Sequence, residues 1–169
     1  MSASRVAGLL WAVCCGLWAT SPTLSAQRVR PPAQSLQPTV YLVTIGQGEY
    51  VWEKFGHNAL LFRDAATGVD IAYNWGVFDF AQPDFLKRFL TGDTRYWVEA
   101  YPGQALIDYY KRSNRTVTLQ RLNLTPDQTR RAYQFSQWNA REANKYYRYD
   151  YFRDNCSTRL RDVIDLALG

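Results

Sequence analysis

The sequence predicts a single domain of the α+β class with a largely antiparallel sheet. Predicted strands and helices are mixed along the chain without the strict strand–helix–strand alternation that a parallel sheet requires. Two neighbouring strands are separated only by a short turn, which is typical of a hairpin. With 169 residues, 47% of them hydrophobic, the chain is long enough to bury a substantial core.

The first half of the predicted sheet comes from three apolar segments rich in β-branched residues. Residues 39–44 predict the first strand, which Gly46-Gln47-Gly48 ends. A second strand is expected over about 56–62 and a third over 71–77. The intervening residues 63–70 contain Ala-Thr-Gly and predict the turn of a hairpin.

The second half alternates helices with shorter strands. We expect a helix at 85–90 and then a strand rich in aromatic residues at 94–101. Pro102 is expected to open a second helix that runs to about 111, and a strand at 116–122 follows. The capping box Thr125-Pro126-Asp127-Gln128 predicts the start of a third helix, which runs to about 141. Residues 144–152 predict a loop dense in tyrosine. The last helix begins at Asn155 or Cys156 and has no terminating signal, so one expectation is a truncated helix in the N-terminal part of a longer protein.

The N-terminus has the layout of a secretory signal peptide. A single charge, Arg5, precedes an apolar run at 7–19, and small and polar residues follow to Ala26. We expect a signal peptide at 1–26, cleaved near Ala26, with an uncleaved anchor as the alternative. A Pro-rich linker at 27–38 and the folded domain at 39–169 would follow, in the periplasm or otherwise outside the cytoplasm.

The charge and cysteine content narrow the function. A formal charge of +5 in an exported protein indicates anionic membrane surfaces more than nucleic acid, for which no motif is present, and a solvated surface is the plain alternative. After residue 26 only Cys156 remains, so it has no partner for a disulfide within the chain. A leftover thiol of this kind is reactive, links two chains, or is a small core residue.

His57 is likewise the only histidine, so a Cys–His site is either this pair or absent. Cys156 is expected in the first turn of a helix capped by Asp154 or Asn155, where free N–H groups and the helix dipole favour a thiolate and can hold an oxyanion. The alternative is that Asn-Cys-Ser-Thr is only capping chemistry. His57 is expected on a strand, where a lone histidine is commonly structural.

A third residue would orient the imidazole, as in a catalytic triad. If the turn pairs Asp64 with Val69, the third strand presents Asn74 diagonal to the histidine and on its face. A one-residue slip would present Tyr73 instead. Supporting roles near the oxyanion are expected for Asn155 and Tyr73, and the order of candidates for the third residue is Asn74, Tyr73, then Asp70 or Glu53.

Other chemistries lack their residues. One histidine and one cysteine cannot form a Cys/His zinc site, and the chain has no P-loop, dinucleotide fingerprint or G-x-S-x-G motif. We therefore expect no metal and no cofactor.

Four segments, in this order, resemble the Lnb N-terminal periplasmic domain family of bacteria. They are VYLVT at 40–44, FGHNAL at 55–60, YNWGVFDF at 73–80 and YRYDYFRDNCSTRLRD at 147–162. The resemblance covers about residues 39–165. It implies a circularly permuted papain-like fold, akin to NlpC-type peptidases and lecithin-retinol acyltransferase, with a nucleophile at a helix N-terminus.

The resemblance also implies roles and a reaction. Cys156 would be the nucleophile and His57 the base of an enzyme that moves an acyl chain from phospholipid, through a thioester, to the N-terminal amine of a lipoprotein. Relatives often carry a second histidine on the next strand, which this chain lacks, so Asn74 is the candidate for that role. The alternatives are a cysteine peptidase or amidase acting on cell-wall peptide, and a binding module without catalysis. The sequence does not predict an oligomeric state.

Overall fold

The structure, a computed structural model, describes residues 37–169. The expected signal peptide lies outside these residues, as does all of the expected linker except its last two positions. In chain order the elements are β1 Thr39–Ile45, β2 His57–Asp64, β3 Val69–Val77, α1 Phe85–Leu90, β4 Arg95–Pro102, α2 Gly103–Arg112, β5 Val117–Arg121, α3 Pro126–Asn139, β6 Tyr146–Arg148 and α4 Cys156–Leu168, with a 3₁₀ turn at Val51–Glu53.

The strands form one sheet in the order β5-β1-β2-β3-β4-β6, and every neighbouring pair is antiparallel. This confirms the predicted α+β class with an antiparallel sheet. The central pair, β2 and β3, forms the expected hairpin with the expected register, since Asp64 pairs with Val69. The Asp64 carboxylate closes the turn by accepting hydrogen bonds from the Ala66 N–H at 2.9 Å and the Thr67 hydroxyl at 2.7 Å.

Each face of the sheet is covered by different helices. One face packs on α3 and α4 around fully buried residues that include Phe62, Trp75 and Val163. The other packs on α2 around a second cluster that includes Leu61, Ala72 and Leu106. Side chains alternate between these faces along each strand, so the register decides which residues of β3 face which helix.

The hairpin strands extend into the predicted turn at 63–70, since β2 runs to Asp64 and β3 begins at Val69. The structure differs from the sequence prediction at two further places. Pro102 is the last residue of β4 and the N-cap of α2, not its first helical residue. Within the tyrosine-rich segment, expected as a loop, Tyr146–Arg148 forms the short edge strand β6 and pairs with β4. Three residues are too few to show a period of two in the sequence, and the pairing with β4 forms only through the tertiary fold.

The end of the sheet where β2 begins and β3 ends is irregular. The register between β3 and β4 shifts between Trp75 and Val77, and Gly76 lies at the shift with a φ of +94°. A bulge of this kind bends a strand and commonly lies beside functional sites. None of the helices within residues 37–169 has the length and hydropathy of a membrane-spanning segment.

Candidate active site

His57 is the first residue of β2 and follows a glycine that cannot readily be replaced. Gly56 has a φ of +71°, and a Cβ there would lie 2.8 Å from the carbonyl oxygen of Ile45. The glycine therefore allows the chain to enter β2 tightly against β1, where His57 pairs with Ile45. This entry places the imidazole at the end of the sheet instead of in its middle.

Cys156 is the first residue of α4 and lies at the same end of the sheet. The helix begins after the N-cap Asn155, whose backbone is extended. The residue is unpaired with any other cysteine among residues 37–169 and is partly buried. Helix α4 packs against β2 and β3, so its N-terminus meets the strand ends.

The structure places the side chain of Cys156 near the imidazole of His57, and both lie 3.7 Å from the position that a Cβ of residue 76 would take. Burial raises the pKa of the thiol, but the hydrogen bond and charge of His57, with smaller contributions from the Asn58 N–H and the Ser157 hydroxyl, lower it to about 7. A substantial fraction of Cys156 is therefore thiolate at neutral pH.

Asn74 holds the other side of the imidazole. Its Oδ1 accepts a hydrogen bond from His57 Nε2, and its side chain also hydrogen-bonds the hydroxyl of Tyr110. Because Nε2 donates to this oxygen, Nδ1 is the nitrogen left to face the thiol. The side chain of Asn74 is buried, so this arrangement has little freedom to rotate. Cys156, His57 and Asn74, which were expected to act together, therefore lie in one row with the imidazole in the middle.

The other candidates for the third position lie elsewhere. Because the register does not slip, Tyr73 faces the core side of β3, 2% exposed, with its ring against Phe62 and Tyr133. Tyr73 is therefore a core residue and does not reach the site, where a supporting role was expected for it. Asp70 lies near the hairpin turn and pairs with Arg63 at 2.8 Å, and Glu53 pairs with Arg115 at 3.1 Å.

Asn155 supports the helix start and does not direct its amide at the thiol. Its Oδ1 accepts hydrogen bonds from the N–H groups of Ser157 at 2.9 Å and Thr158 at 3.0 Å, and its Nδ2 donates to the Tyr151 carbonyl at 2.8 Å. The N–H of Cys156 has no partner among residues 37–169. The oxyanion donor expected from the first turn is thus reduced to one backbone group.

Tyr147 of β6, which was not among the residues predicted for the site, offers a second donor. Its hydroxyl is buried and is without a hydrogen-bond partner in the part of the chain that the structure describes. Burial raises the pKa of Tyr147, partly opposed by the charge of Arg159, whose guanidinium lies 4.2 Å from the ring centre. The hydroxyl therefore keeps its proton and can donate. No local pattern distinguishes Tyr147 from the other tyrosines of this segment.

Gly76 of β3 lies beside these groups. A Cβ at residue 76 would lie 3.7 Å from Cys156 Cβ, 3.7 Å from His57 Cε1 and 3.9 Å from the Tyr147 hydroxyl oxygen. The side chains of Cys156, His57 and Tyr147 therefore meet around one backbone position of β3. A nucleophile, a base and a hydrogen-bond donor that act on one carbonyl group must converge in this way.

A groove of about 630 Å³ lies beside His57, Asn74 and Gly76, and neither Cys156 nor Tyr147 is among its lining residues. Its lining is mostly aromatic and aliphatic and consists of Trp52, Glu53, Gly56, His57, Asn74, Gly76, Val77, Phe78, Tyr101, Ala105, Leu106, Tyr109, Tyr110, Arg112 and Arg115. Among residues 37–169, no group of three or more His, Cys, Asp or Glu side chains converges as metal ligands would.

The fold and the site define an α+β domain with a cysteine–histidine–asparagine cluster where the central hairpin meets a helix N-terminus. The model of the Lnb N-terminal periplasmic domain family matches residues 32–169, and the chain belongs to this family. The family assignment supports a location outside the cytoplasm. No curated protein and no solved structure matches the chain.

Proposed function

We propose that this protein is a thiol acyltransferase. It moves an acyl chain from a phospholipid to an amine, such as the N-terminus of a lipoprotein, through a thioester on Cys156. The observation that carries the proposal is the row formed by the thiol of Cys156, the imidazole of His57 and the amide oxygen of Asn74. A lowered thiol pKa beside an oriented base is what covalent catalysis by cysteine requires.

In the first half-reaction the Cys156 proton passes to His57 Nδ1, and the sulfur attacks the carbonyl carbon of an acyl ester. The tetrahedral oxyanion then collapses, the ester C–O bond breaks, and the imidazolium returns its proton to the departing lysophospholipid oxygen. In the second half-reaction the amine attacks the thioester and loses a proton to His57. The C–S bond then breaks, and the imidazolium returns its proton to the departing sulfur, which yields the amide, the free thiol and a neutral His57.

The two unpartnered donors would hold the oxyanion in both half-reactions. They are the backbone N–H of Cys156 and the hydroxyl of Tyr147, and the side chains of both residues lie near Gly76. Donors placed before the reaction stabilise developing charge without further reorganisation.

Two features favour an acyl chain and a membrane as the partners. Aromatic and aliphatic side chains, including Phe78 and Tyr101, form most of the groove wall, as expected for an apolar ligand. Three aromatic residues that precede His57 or Cys156 closely in the sequence are exposed. Phe55 is 73% exposed, Tyr151 is 46% exposed and Phe152 is 84% exposed. Exposed aromatic rings of this kind are typical of residues that contact a membrane interface.

The test is the intact mass of the protein after incubation with phospholipid vesicles. We expect one acyl adduct, mapped to Cys156 by peptide mass analysis and discharged by an added lipoprotein-like amine. Cys156→Ser abolishes or strongly reduces it, whereas Gln137→Ala, on the exposed side of α3, does not. Cleavage of peptidoglycan fragments without any acyl adduct would establish the peptidase alternative instead, and neither activity would leave a binding module.

A further inference from the structure

One donor of a buried arginine in the groove is without a partner. The side chain of Arg115 is only 4% exposed. Its Nε donates a hydrogen bond to the Gly46 carbonyl at 2.9 Å, and its Nη1 donates one to Glu53 Oε1 at 3.1 Å. Its Nη2 is buried and has no hydrogen-bond partner among residues 37–169. A buried donor on a charged group that is left unpaired is costly, and an anionic ligand oxygen would remove that cost.

The same part of the groove carries an excess of positive charge. Arg112, in the last turn of α2, is exposed, lines the groove and forms no ion pair among the residues described. Glu53 is the one carboxylate in the lining and is already paired with Arg115. Two arginine residues thus line the groove against one carboxylate, which favours an anionic ligand.

Tyr110 lies between this charged region and the imidazole of His57. Its ring centre is 5.0 Å from Arg115 Cζ and 6.1 Å from the ring centre of His57. The distance from Arg115 Cζ to the centre of the imidazole is therefore at most the sum of these two distances. A ligand that spans them needs an anionic group and a reactive carbonyl separated by a short linker, with an apolar portion against the aromatic wall.

We propose that Arg115, assisted by Arg112, binds the phosphate of the acyl donor, so that the site selects glycerophospholipids over neutral glycerides. This subsite rests on the proposed acyl transfer and names the feature of the donor that is recognised. In a glycerophospholipid only the glycerol backbone separates the phosphate from the nearer acyl ester. The planar guanidinium fork matches phosphate oxygens, and the buried Nη2 supplies a donor that has no partner within the described residues.

The test compares two donors with the same acyl chains, dioleoylphosphatidylglycerol and dioleoylglycerol, in detergent micelles with the full chain. The readout is the rate of acyl adduct formation on Cys156. We expect the phospholipid to react faster by at least about 10-fold, the value of one charge-assisted hydrogen bond. Arg115→Lys, which keeps the charge but loses the fork, reduces the phospholipid rate by about 10- to 100-fold and reduces the dioleoylglycerol rate much less.

Arg130→Lys is the matched control, because Arg130 is a surface residue paired with Asp127 and far less buried than Arg115. Iodoacetamide labelling of Cys156 and the melting temperature report whether Arg115→Lys keeps the site intact. An equal loss of both donor rates in Arg115→Lys overturns the subsite and assigns Arg115 a structural role. Equal rates for the two donors in the unmodified protein overturn it as well.

Binding without reaction separates the subsite from the proposed function. Dihexanoylphosphatidylcholine, inorganic phosphate and a muramyl peptide are titrated while the fluorescence of Trp52, in the groove lining, is followed. We expect Arg115-dependent binding of the lipid and weaker binding of free phosphate. This result supports the subsite even if no acyl adduct forms and acyl transfer fails. Tighter binding of inorganic phosphate or of the peptide overturns the assignment to a lipid headgroup.

Discussion

Helices α3 and α4 begin with the same capping arrangement. In α3 the Thr125 hydroxyl accepts a hydrogen bond from the Gln128 N–H at 3.3 Å, and the Gln128 side chain accepts one from the Thr125 N–H at 2.8 Å. In α4 Asn155 and Thr158 exchange the equivalent pair at 3.0 and 2.8 Å. Both arrangements are capping boxes, with reciprocal hydrogen bonds between the N-cap and the third helical residue.

The two helices differ in the identity of their first helical residue and in the side chains that the sheet places near it. That residue is Pro126 in α3, which has no N–H to offer, and Cys156 in α4, whose N–H is free. Only the start of α4 meets the strand ends that carry His57 and Tyr147. A capping box therefore positions a residue accurately, but the chemistry comes from side chains that the sheet brings to it.

The strongest test of this comparison removes His57. In His57→Ala the hydrogen bond and charge that lower the Cys156 pKa are lost, while burial, which raises it, stays. The inflection of iodoacetamide labelling against pH should move from about 7 to above 8.5, the free thiol value, so labelling at neutral pH slows. Acyl adduct formation should fall by about 100-fold or more.

An inflection that stays near 7 in His57→Ala would show that the helix start alone activates the thiol. The chemical difference between the starts of α3 and α4 would then lie only in their first helical residue, which is proline in α3 and cysteine in α4. Gln137→Ala, a change at an exposed position of α3, serves as the unchanged reference.

A second test removes the proposed oxyanion donor of β6. Tyr147→Phe should lower the rate of acyl adduct formation by about 100-fold, the usual cost of one oxyanion donor. Iodoacetamide labelling should be nearly unchanged, because alkylation of a thiolate has no oxyanion. Tyr146→Phe, one residue away with its hydroxyl bonded to Glu142, is the control. Equal losses in both reactions would mean that Tyr147 only holds the thiol in place.

The smallest expected effects concern the caps themselves. Thr125→Ala and Asn155→Ala should each lower the free energy of unfolding by about 1 kcal/mol, measured by chemical denaturation. Only Asn155→Ala should also slow acyl adduct formation, by several-fold, because only α4 carries the thiol in its first turn. The same loss of activity in both variants would trace the effect to global stability instead.

The sequence was sufficient for features that depend on local chemistry. The capping box at Thr125, the helix start at Cys156 and the hairpin with Asp64 opposite Val69 all follow from short-range patterns, and the structure confirms them. The register alone then placed Asn74 on the face of His57, where the structure has the hydrogen bond. A period of two makes this inference sharp, since one residue of slip would have exchanged Asn74 for Tyr73.

Features created by tertiary pairing could not be read from the sequence. Strand β6 is only three residues long and forms through its pairing with the edge of β4, so Tyr147 gave no signal among its neighbouring tyrosines. The occupied Oδ1 of Asn155 likewise became visible only once the cap was built. The unpaired Nη2 of Arg115 depends on what surrounds it, which composition does not encode.

The glycine at position 76 has a consequence for substitutions there. A Cβ at this position would meet Cys156, His57 and Tyr147 at 3.7–3.9 Å, so even alanine would place a methyl group directly against the three side chains of the site. The positive φ of residue 76 adds a backbone cost for any side chain. Glycine thus lets the backbone of β3 run close to the site without filling it.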